Sequence, residues 1–421
     1  MYDVVVIGGG PAGMAAAIEA HDKVDQVLII EREKRVGGIL KQCIHDGFGI
    51  VKFGERLTGP EYAERYARNI EQLGMEVMLS SYVLQIVEEN KVFHITVMNG
   101  ECGVQIIKAK GLVLANGCRE RTAKQIFING TRPAGIFTAG TAQYLVNIDG
   151  YLPCKRTVIL GSGDIGLIMA RRLTLEGSEV VGVYEAKSSP SGLTRNIVQC
   201  LDDYNIPLYL GKTITNIIGK DRVEGVEVAS VDNYMKILPG EREIIKCDGL
   251  ILSVGLIPEN EIAEMLGIKI DDRTKGPIVD NKLMTSVSGV FSCGNALHVN
   301  DLVDYVSESG EIAGRNAAEY AKRGYNGEKR FVQVIADNKD FLYAVPQKID
   351  MSQENGEVIL YFRVKENIRN AEVIINSCNK TIYKKKYITL KPPEMERIIL
   401  NKDKIQGDII LSIARHIQIN N

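Results

Sequence analysis

The stretch Gly8-Gly9-Gly10-Pro11-Ala12-Gly13 decides the fold because of what precedes and follows it. Asp3 to Ile7 is a short, mostly β-branched run, which is typical of a buried parallel strand. Small and straight-chained residues after Gly13 predict a helix, and Val27 to Ile30 predicts a second strand that ends at Glu31. The order strand, glycine turn, helix and acid-ended strand predicts a Rossmann-type unit.

Each residue of this turn has a task in holding a dinucleotide. Gly8 permits the tight turn, Gly10 lets a pyrophosphate approach the backbone, and Gly13 lets helix and strand pack closely. The helix N-terminus offers unpaired N–H groups and about half a positive charge to the phosphates. The carboxylate at the strand end can accept hydrogen bonds from both ribose hydroxyls. The predicted contacts of this first site are Gly8, Gly10, Pro11, Ala12, Gly13 and Glu31.

A second copy of the pattern begins near Thr157. Val158 to Leu160 predicts its strand, Gly161-Ser162-Gly163-Asp164-Ile165-Gly166 its turn, and Val180 to Tyr184 a second strand that ends at Glu185. A carboxylate at this position would repel a 2′-phosphate, so NADH is favoured over NADPH. Arg195 lies downstream and could soften that preference. The predicted contacts of this second site are Gly161, Gly163, Ile165, Gly166 and Glu185.

The two copies also continue in the same order. Alternating strands run from about Val83 to Lys108 and lead to the apolar run Gly111 to Gly117. In the second copy they run from about Thr213 to Ile245 and lead to Gly249 to Gly255. A lone GxGxxG is often only a tight turn, but two such motifs with the same downstream order agree at several levels. The fold is therefore predicted to be α/β, with two Rossmann-like dinucleotide-binding domains.

Composition and cysteine spacing exclude several other classes of protein. The formal net charge is -2, so no basic excess points to a nucleic acid partner. No apolar stretch is long enough for a transmembrane segment, and Met1 leads directly into the first strand, so no signal peptide is expected and the cytoplasm is favoured. The eight cysteines contain no CxxC or CxxxxC pair, which argues against a local redox disulfide and clustered iron–sulfur ligands. No metal site is predicted.

These motifs resemble those of the two-dinucleotide-binding-domain flavoproteins, the superfamily of the pyridine nucleotide–disulfide oxidoreductases, over about residues 1 to 325. The resemblance implies FAD in the first site and NAD(P)H in the second, with the NAD domain inserted into the FAD domain. It implies that the FAD domain comprises residues 1–120 and 286–328, and the NAD domain residues 121–285. Residues 329–421 would form a β-rich C-terminal domain.

A third family signature is present where the FAD domain should resume, at Gly289-Val290-Phe291-Ser292-Cys293-Gly294-Asn295. The family usually has Asp at position 295, bonding the ribitol chain of FAD, and Asn can still donate and accept. A helix is expected over about Gly310 to Ala321, with its N-terminus aimed at the flavin N1 and C2 carbonyl. The further cofactor contacts that the resemblance implies are Gly38, Val83, Asn116, Gly117, Gly255, Gly294, Asn295 and Ser309.

The departure from the family is the missing disulfide. The stretch from Gly38 to His45 carries one cysteine, Cys43, at a different offset, and only Cys154 lies just ahead of the second glycine motif. Disulfide reduction by an internal dithiol is therefore not expected. Cys43 and His45 should lie against the flavin ring and are the candidate catalytic residues. Cys43 could relay electrons or be an inert packed thiol, and His45 could be a general acid or a satisfied loop histidine.

Other stretches resemble a narrower subgroup associated with anaerobic glycerol-3-phosphate dehydrogenase in bacteria: Gly37 to Gly49, Leu57 to Ala63, and Leu297 to Asp304. This resemblance implies electron transfer between NADH and a redox partner protein or dehydrogenase subunit. Within the last stretch, His298 and Asp301 form either a second candidate polar pair or a solvated turn.

Past Arg330 the glycine motifs stop and short strands dominate, which predicts a C-terminal antiparallel β-sandwich-like domain. The predicted strands are Val358 to Val364, Ala371 to Ile375, Thr381 to Leu390, Arg397 to Leu400 and Asp408 to Ile413. This domain carries no recognisable catalytic cluster. A role in binding a partner subunit is a hypothesis from its position, and a homo-oligomer remains open.

The leading hypothesis is an FAD-dependent oxidoreductase that transfers a hydride between NAD(H) and flavin and exchanges electrons with a partner protein in glycerol-3-phosphate oxidation. One alternative is an NADH oxidase or peroxidase, with Cys43 as the peroxide-reacting thiol. The other is a structural subunit of a dehydrogenase complex that holds FAD while its NAD site is idle.

Overall fold

The structure, a computed structural model, describes residues 1–240, 242–324, 330–352 and 355–415. Contacts divide the chain into two compact units. The first unit comprises Met1–Cys118 and Pro258–Asn421, and the second comprises Arg119–Ile257. The second unit is therefore inserted into the chain of the first. The predicted domain boundary between residues 328 and 329 lies outside the described residues.

The first unit opens with the predicted α/β pattern. Its helices and strands in this segment are β1 (Tyr2–Ile7), α1 (Pro11–His21), β2 (Val27–Ile30), β3 (Asp46–Phe48), β4 (Leu57–Thr58), α2 (Gly59–Gln72), β5 (Glu76–Met78), β6 (Ser81–Glu89), β7 (Val92–Asn99) and β8 (Gly103–Leu114). The sheet order is β5-β2-β1-β8-β7-β6. Strands β5, β2, β1 and β8 run parallel, and β6 to β8 form an antiparallel meander. Val4, Val5 and Val6 are fully buried, which explains the unbroken apolar run of β1.

The second unit repeats this architecture. Its elements, together with the short strands at the two crossing points, are β9 (Cys118–Glu120), β10 (Asn129–Gly130), β11 (Ile136–Thr138), α3 (Ala139–Asn147), β12 (Arg156–Leu160), α4 (Asp164–Leu175), β13 (Glu179–Glu185), α5 (Thr194–Cys200), β14 (Leu208–Leu210), β15 (Lys212–Gly219), β16 (Val223–Ser230), β17 (Glu243–Lys246), β18 (Gly249–Leu252) and β19 (Leu256–Pro258). One sheet is parallel, in the order β11-β18-β12-β13-β14. In the other, β15, β16 and β17 pair antiparallel, as the alternating pattern predicted.

The chain then returns to the first unit through α6 (Glu261–Met265), β20 (Val290–Ser292) and α7 (Val303–Arg323). Strand β20 adds to the first sheet beside β8, in parallel. Residues 258–285, which the sequence assigned to the inserted domain, belong instead to the first unit. The reason is packing: Ala263 and Ile268 are buried in one core cluster with Val5 and Leu28 of the first sheet.

Helices α1 and α7 pack so closely that glycine is required between them. A Cβ atom on Gly310 would lie 2.1 Å from the carbonyl oxygen of Ala12, and one on Gly314 would lie 1.9 Å from that of Ala16. The contact aligns α7 along the helix that follows the first glycine turn. The third signature motif is thereby brought beside the first.

Gly314→Ala is expected to destabilise the protein, although alanine favours an isolated helix by about 1 kcal/mol over glycine. The added methyl would overlap a backbone oxygen that cannot move alone, and overpacking of this kind costs about 3 kcal/mol, so the clash dominates. Urea denaturation followed by circular dichroism measures the change. Gly100→Ala is the control, because a Cβ atom there meets nothing within 4 Å. Equal stability of the two variants would contradict the close helix contact.

The C-terminal part of the first unit is a two-sheet β sandwich. Its strands are β21 (Phe331–Ala336), β22 (Phe341–Val345), β23 (Lys348–Asp350), β24 (Glu357–Val364), β25 (Ile368–Ser377), β26 (Lys380–Leu390), β27 (Glu396–Asn401) and β28 (Ile409–Arg415). The sheets have the orders β23-β21-β28-β25-β26 and β22-β24-β27. All pairings are antiparallel as predicted except β21 with β28, which is parallel. Phe341, Phe362 and Val373 are buried in a core shared by both sheets.

Across the described ranges, no helix is both long and apolar enough to span a membrane. Among the same residues, no cluster of three or more His, Cys, Asp or Glu side chains could hold a metal ion.

Candidate functional site

The first glycine turn forms an open cradle at the start of α1. A Cβ atom on Gly8 would lie 2.4 Å from the carbonyl oxygen of Ala115, and one on Gly13 would lie 1.8 Å from that of Gly8. These two glycines are therefore required by backbone packing. Gly10 differs, because a Cβ atom there would meet nothing within 4 Å. The space beside Gly10 is open to a ligand.

The chemistry of this cradle suits a pyrophosphate. Gly10 is the N-cap of α1, no side chain caps the helix, and its first turn contains no acidic residue. Pro11 stands at the first helical position, and the neighbouring N–H groups of that turn carry the positive end of the helix dipole. The residues present therefore fit the diphosphate of FAD. Pro11 and Ala12 belong to this turn, and their contacts with the cofactor stay predictions.

Glu31 is held rigidly at the end of β2, beside the same cradle. Its carboxylate accepts hydrogen bonds from the backbone N–H groups of Gly9 (2.6 Å) and Glu33 (2.8 Å), and its side chain is buried. A carboxylate can accept about four hydrogen bonds, so acceptor capacity remains for ribose hydroxyls. This position suits the predicted role of Glu31.

The second unit contains a cradle with the same geometry. A Cβ atom on Gly161 would lie 2.0 Å from the Ser253 carbonyl oxygen, and one on Gly166 would lie 2.6 Å from that of Gly161. At Gly163 the nearest atom would be 3.9 Å away, so this position is again open. Ile165 is partly exposed on the first turn of α4.

Glu185 occupies the place in this unit that Glu31 has in the first. Its carboxylate accepts from the Ser162 N–H (3.1 Å) and hydroxyl (2.6 Å), from the Ser191 hydroxyl (3.1 Å) and from the Lys187 N–H (3.0 Å). The side chain is buried. Four donors therefore fix the negative charge at the strand end.

The third signature motif lies against the first cradle. Gly294 has a φ of 60°, and a Cβ atom there would come within 2.7 Å of the Ala12 Cβ. The Gly294 N–H donates to the Ser309 hydroxyl (2.8 Å), which donates to the Val306 carbonyl (2.7 Å). Ser309 is buried and ties this turn to α7.

The expected helix start is corrected by the structure. Helix α7 begins at Val303, about two turns before the predicted start at Gly310. The glycine there serves the contact with α1 and not the beginning of the helix. The positive end of the α7 dipole therefore lies near Val303, and Ser309 sits inside the helix.

Two asparagines lie near these motifs in the first unit. The Asn295 Oδ1 accepts from the Asn300 N–H (3.0 Å), and its amide donates to the Cys118 sulfur (3.6 Å). The Asn116 amide donates to the Glu259 carbonyl (2.6 Å). Its Oδ1 is buried and, within the described residues, has no hydrogen-bond partner. The cofactor contact of Asn116 stays a prediction. Gly117 accepts from the Glu259 N–H (3.0 Å), which closes the loop.

The segment with Gly38 and Cys43 lies beside the cradle. A Cβ atom on Gly38 would lie 3.0 Å from the Gly10 Cα. The Cys43 thiol donates to the Ile39 carbonyl (3.3 Å), and burial raises the pKa of Cys43 to about 12. The thiol is therefore protonated at neutral pH. The His45 ring packs near Phe48, with 5.0 Å between the ring centroids. The catalytic roles of Cys43 and His45 remain predictions.

Two other predicted contacts can be located. Val83 lies on the edge strand β6, opposite Val97. Gly255 has a φ of 100° and accepts a hydrogen bond from the Arg121 N–H in the second unit. Their contacts with cofactor remain predictions.

Sequence reasoning missed the contacts that hold residues 49–62 against α7. The Asp304 carboxylate is buried and accepts from the N–H groups of Gly49 (3.3 Å) and Lys52 (2.7 Å). The Tyr62 and Ser307 hydroxyls are hydrogen-bonded at 2.8 Å. The partners are about 250 residues apart in the chain, so no local spacing signals them.

His298 is a second feature whose environment was not predicted. It is 1% exposed and lies between the rings of Tyr343 and Tyr361 of the sandwich, 5.6 Å from each. Its Nδ1 has no hydrogen-bond partner among the described residues. Burial lowers the pKa of His298 to about 3, and the Arg363 guanidinium acts in the same direction. His298 is therefore neutral, and the solvated-turn interpretation is wrong for it.

His298→Phe is expected to flatten the pH dependence of stability. The pKa of the folded state lies below the usual value near 6.5, so the unfolded chain binds the extra proton as the pH falls. Stability due to neutral His298 is full above about pH 6.5 and is lost at up to about 1.4 kcal/mol per pH unit below it. Urea midpoints between pH 7 and pH 5 measure this, with His94→Phe as the control. Equal slopes in wild type and His298→Phe would contradict the assignment.

The two cradles, each with an open glycine and a fixed carboxylate, define a class of protein that binds two dinucleotides. The sequence profile of the pyridine nucleotide-disulphide oxidoreductase family matches residues 2–310. The chain therefore belongs to this family, whose members are FAD-dependent oxidoreductases that use NAD(P)H. The match ends before the β sandwich.

Individual relatives agree with this assignment. The chain is 28% identical over 288 residues to the hydrogen cyanide synthase subunit HcnB of Pseudomonas protegens, covering 63% of this chain and 59% of HcnB. It is 24% identical to the thioredoxin reductase of Listeria innocua, covering 76% of this chain and 94% of that protein. The crystal structure of T. acidophilum thioredoxin reductase has the same fold, with a TM-score of 0.62, 23% identity, and coverage of 76% and 99%.

Proposed function

We propose that this protein transfers a hydride between NADH and FAD and exchanges the electrons with a partner protein. Bound FAD and NAD(H) supply the hydride chemistry. The observation that carries the proposal is the pair of open cradles at Gly10 and Gly163, each beside a fixed carboxylate. The proposed FAD domain contains the first cradle and the third motif. The proposed NAD domain contains the second cradle and corresponds to the second unit, Arg119–Ile257, in place of residues 121–285. The cofactor contacts are those predicted from the sequence.

The cysteines support an electron route without an internal dithiol. None of the eight forms a disulfide in the described residues. Burial raises the pKa of Cys43 to about 12, and it raises the pKa of Cys154 to about 11. A thiol kept protonated in this way is a poor nucleophile, which disfavours a peroxidase that reacts through Cys43. Reduced thiols also support the proposed cytoplasmic location.

NADH is the proposed nicotinamide substrate, because four donors hold the Glu185 carboxylate at the strand end, and a carboxylate at this position of the motif repels a 2′-phosphate. A protein partner is supported by the relative HcnB, which is named as a subunit. Within this proposal, the partner belongs to glycerol-3-phosphate oxidation, a narrower assignment that rests on the sequence resemblance alone.

Anaerobic titration of the purified yellow protein with NADH tests the proposal. NADH is expected to bleach the flavin absorbance at about one equivalent, and NADPH is expected to require at least about tenfold higher concentrations because of charge repulsion. Dithionite reduction in parallel shows the full bleaching. An unbleached spectrum with NADH would indicate an FAD-holding subunit whose NAD site is idle. Rapid oxygen or peroxide consumption without a partner would instead favour the oxidase or peroxidase.

A further inference from the structure

The residues between Gly294 and α7, here called the Asn295 loop (residues 295–302), begin at the first cradle. Gly294 lies against Ala12 in the first turn of α1, so close that a side chain there would overlap it. The other end of the loop leads into Val303, the first residue of α7. The position of the loop beside the diphosphate cradle therefore depends on the contacts that the loop residues make with the β sandwich.

Arg363 on β24 makes two of the contacts by which the β sandwich holds this loop, beside the Tyr343 hydroxyl, which donates to the Val299 carbonyl oxygen (3.5 Å). The Arg363 Nη2 donates to the carbonyl oxygen of Val299 (3.3 Å) and to the carboxylate of Asp301 (3.2 Å). The side chains of Arg363 and Asp301 are 12% and 28% exposed, so solvent screens this ion pair only in part. The other oxygen of Asp301 accepts from the backbone N–H of Met395 in the sandwich (3.0 Å).

The remaining donors of Arg363 fix it within the sandwich. Its Nε donates to the Tyr343 hydroxyl (2.8 Å), and its Nη1 donates to the carbonyl oxygens of Pro392 (3.2 Å) and Pro393 (2.5 Å). A guanidinium is a planar fork, so these bonds orient the nitrogen that faces the loop. Lysine, with one flexible ammonium, cannot make both sets of contacts at once.

A second ion pair joins the sandwich to α7 just beyond the loop. Arg397 donates to both carboxylate oxygens of Glu308, at 2.9 and 2.5 Å, and the Tyr361 hydroxyl bonds to the same carboxylate. The neutral His298 ring packs against Tyr343 and Tyr361, whose hydroxyls bond to Arg363 and Glu308, respectively. The sandwich thus contacts the chain on both sides of the start of α7, at Val299 and Asp301 in the loop and at Glu308 in the helix.

We propose that Arg363 is a positioning residue of the FAD site, through which the C-terminal sandwich sets the placement of the Asn295 loop against the bound flavin nucleotide. The proposal rests on the assignment of FAD to the first cradle. Arg363 acts through Val299 and Asp301 and does not itself contact the cofactor. Loss of the fork leaves the partly exposed Asp301 carboxylate and the Val299 carbonyl each with one bond fewer, so the loop shifts and the cofactor is held less firmly.

The test compares Arg363→Met with Arg415→Met in the full-length holoprotein. Arg415 is the matched control, because it is likewise an ion-paired arginine of the sandwich, but its two partners, Asp340 and Glu366, both lie within the sandwich. FAD release after dilution is followed by the rise of free-flavin fluorescence, and the visible absorbance of the bound flavin is recorded before dilution. We expect Arg363→Met to release FAD roughly tenfold faster, with a shifted flavin band, while Arg415→Met stays within about twofold of wild type.

Two further variants make the outcome decisive. Arg363→Lys keeps the charge without the fork, and it is expected to resemble Arg363→Met in the flavin spectrum. Asp301→Asn removes the loop side of the pair, and it gives the same readout if Arg363→Met fails to fold. Wild-type release rates and spectra in folded Arg363→Met, or in Asp301→Asn where Arg363→Met does not fold, would overturn the proposal. NADH titration of the wild type tests the proposed function separately, since FAD release requires no nicotinamide.

Discussion

Replacing Gly10 by valine is expected to give a folded protein that purifies without FAD. The backbone at Gly10 is extended, with φ of -74° and ψ of -175°, which any residue adopts, and a Cβ atom there meets nothing within 4 Å. The fold therefore tolerates the side chain. The same side chain fills the space through which the diphosphate reaches the N-terminus of α1. FAD affinity is expected to fall at least about 100-fold, which corresponds to about 2.7 kcal/mol.

Isothermal titration of the deflavinated proteins with FAD measures this loss, and thermal melting of the same apoproteins measures the fold. Gly13→Val is the informative contrast, because a Cβ atom there lies 1.8 Å from the Gly8 carbonyl oxygen and the apoprotein itself must be destabilised. Gly100→Val controls for a surface substitution. If Gly10→Val binds FAD as tightly as wild type, the cofactor does not lie in this cradle.

The succession of strand, glycine turn, helix and strand in both units can be predicted from the sequence, because it depends on patterns within about 30 residues. Val4 to Ile7 and Val158 to Leu160 are apolar without interruption, and the structure shows them buried on both faces of parallel sheets. The acidic residue at the end of the second strand is recognised in the same way, from its position a short distance after each glycine turn. Glu31 and Glu185 could therefore be assigned to corresponding positions before any contact was known.

The start of α7 could not be predicted in the same way. Gly310 marks a helix boundary by propensity alone, but its missing side chain serves the contact with Ala12, which lies almost 300 positions earlier in the chain. The helix instead begins at Val303, where Asp304 in the first turn accepts from the N–H groups of Gly49 and Lys52. Tertiary packing overrides the local preference of one glycine.

The C-terminal sandwich shows the same limit. Five of its strands were predicted, whereas β21, β22 and β23 were missed; β23 has only three residues, too few to show an alternating pattern. The role of the sandwich in holding the Asn295 loop has no sequence signal, since Arg363 and Asp301 are 62 positions apart. A lone arginine in a strand is ordinarily a surface residue, and only its buried contacts distinguish it.

Replacing Gly163 by valine is expected to separate the two cofactor sites, leaving FAD bound while abolishing reduction by NADH. Gly163 has φ of -66° and ψ of 162°, and the nearest atom to a Cβ there, the Ser253 Oγ, is 3.9 Å away. The substitution is therefore compatible with the fold, but it fills the second cradle. The NADH concentration for half-maximal flavin bleaching should rise at least about 100-fold.

The measurement is an anaerobic stopped-flow reduction with NADH, compared with dithionite reduction of the same sample. Dithionite needs no nucleotide site, so it should bleach Gly163→Val as completely as wild type. Gly166→Ala gives the contrast, because its Cβ would lie 2.6 Å from the Gly161 carbonyl oxygen and disturb the packing of α4 itself. If Gly163→Val loses its FAD, or is reduced by NADH at the wild-type rate, the two open glycines do not serve two separate nucleotides, because each cradle should respond only to its own substitution.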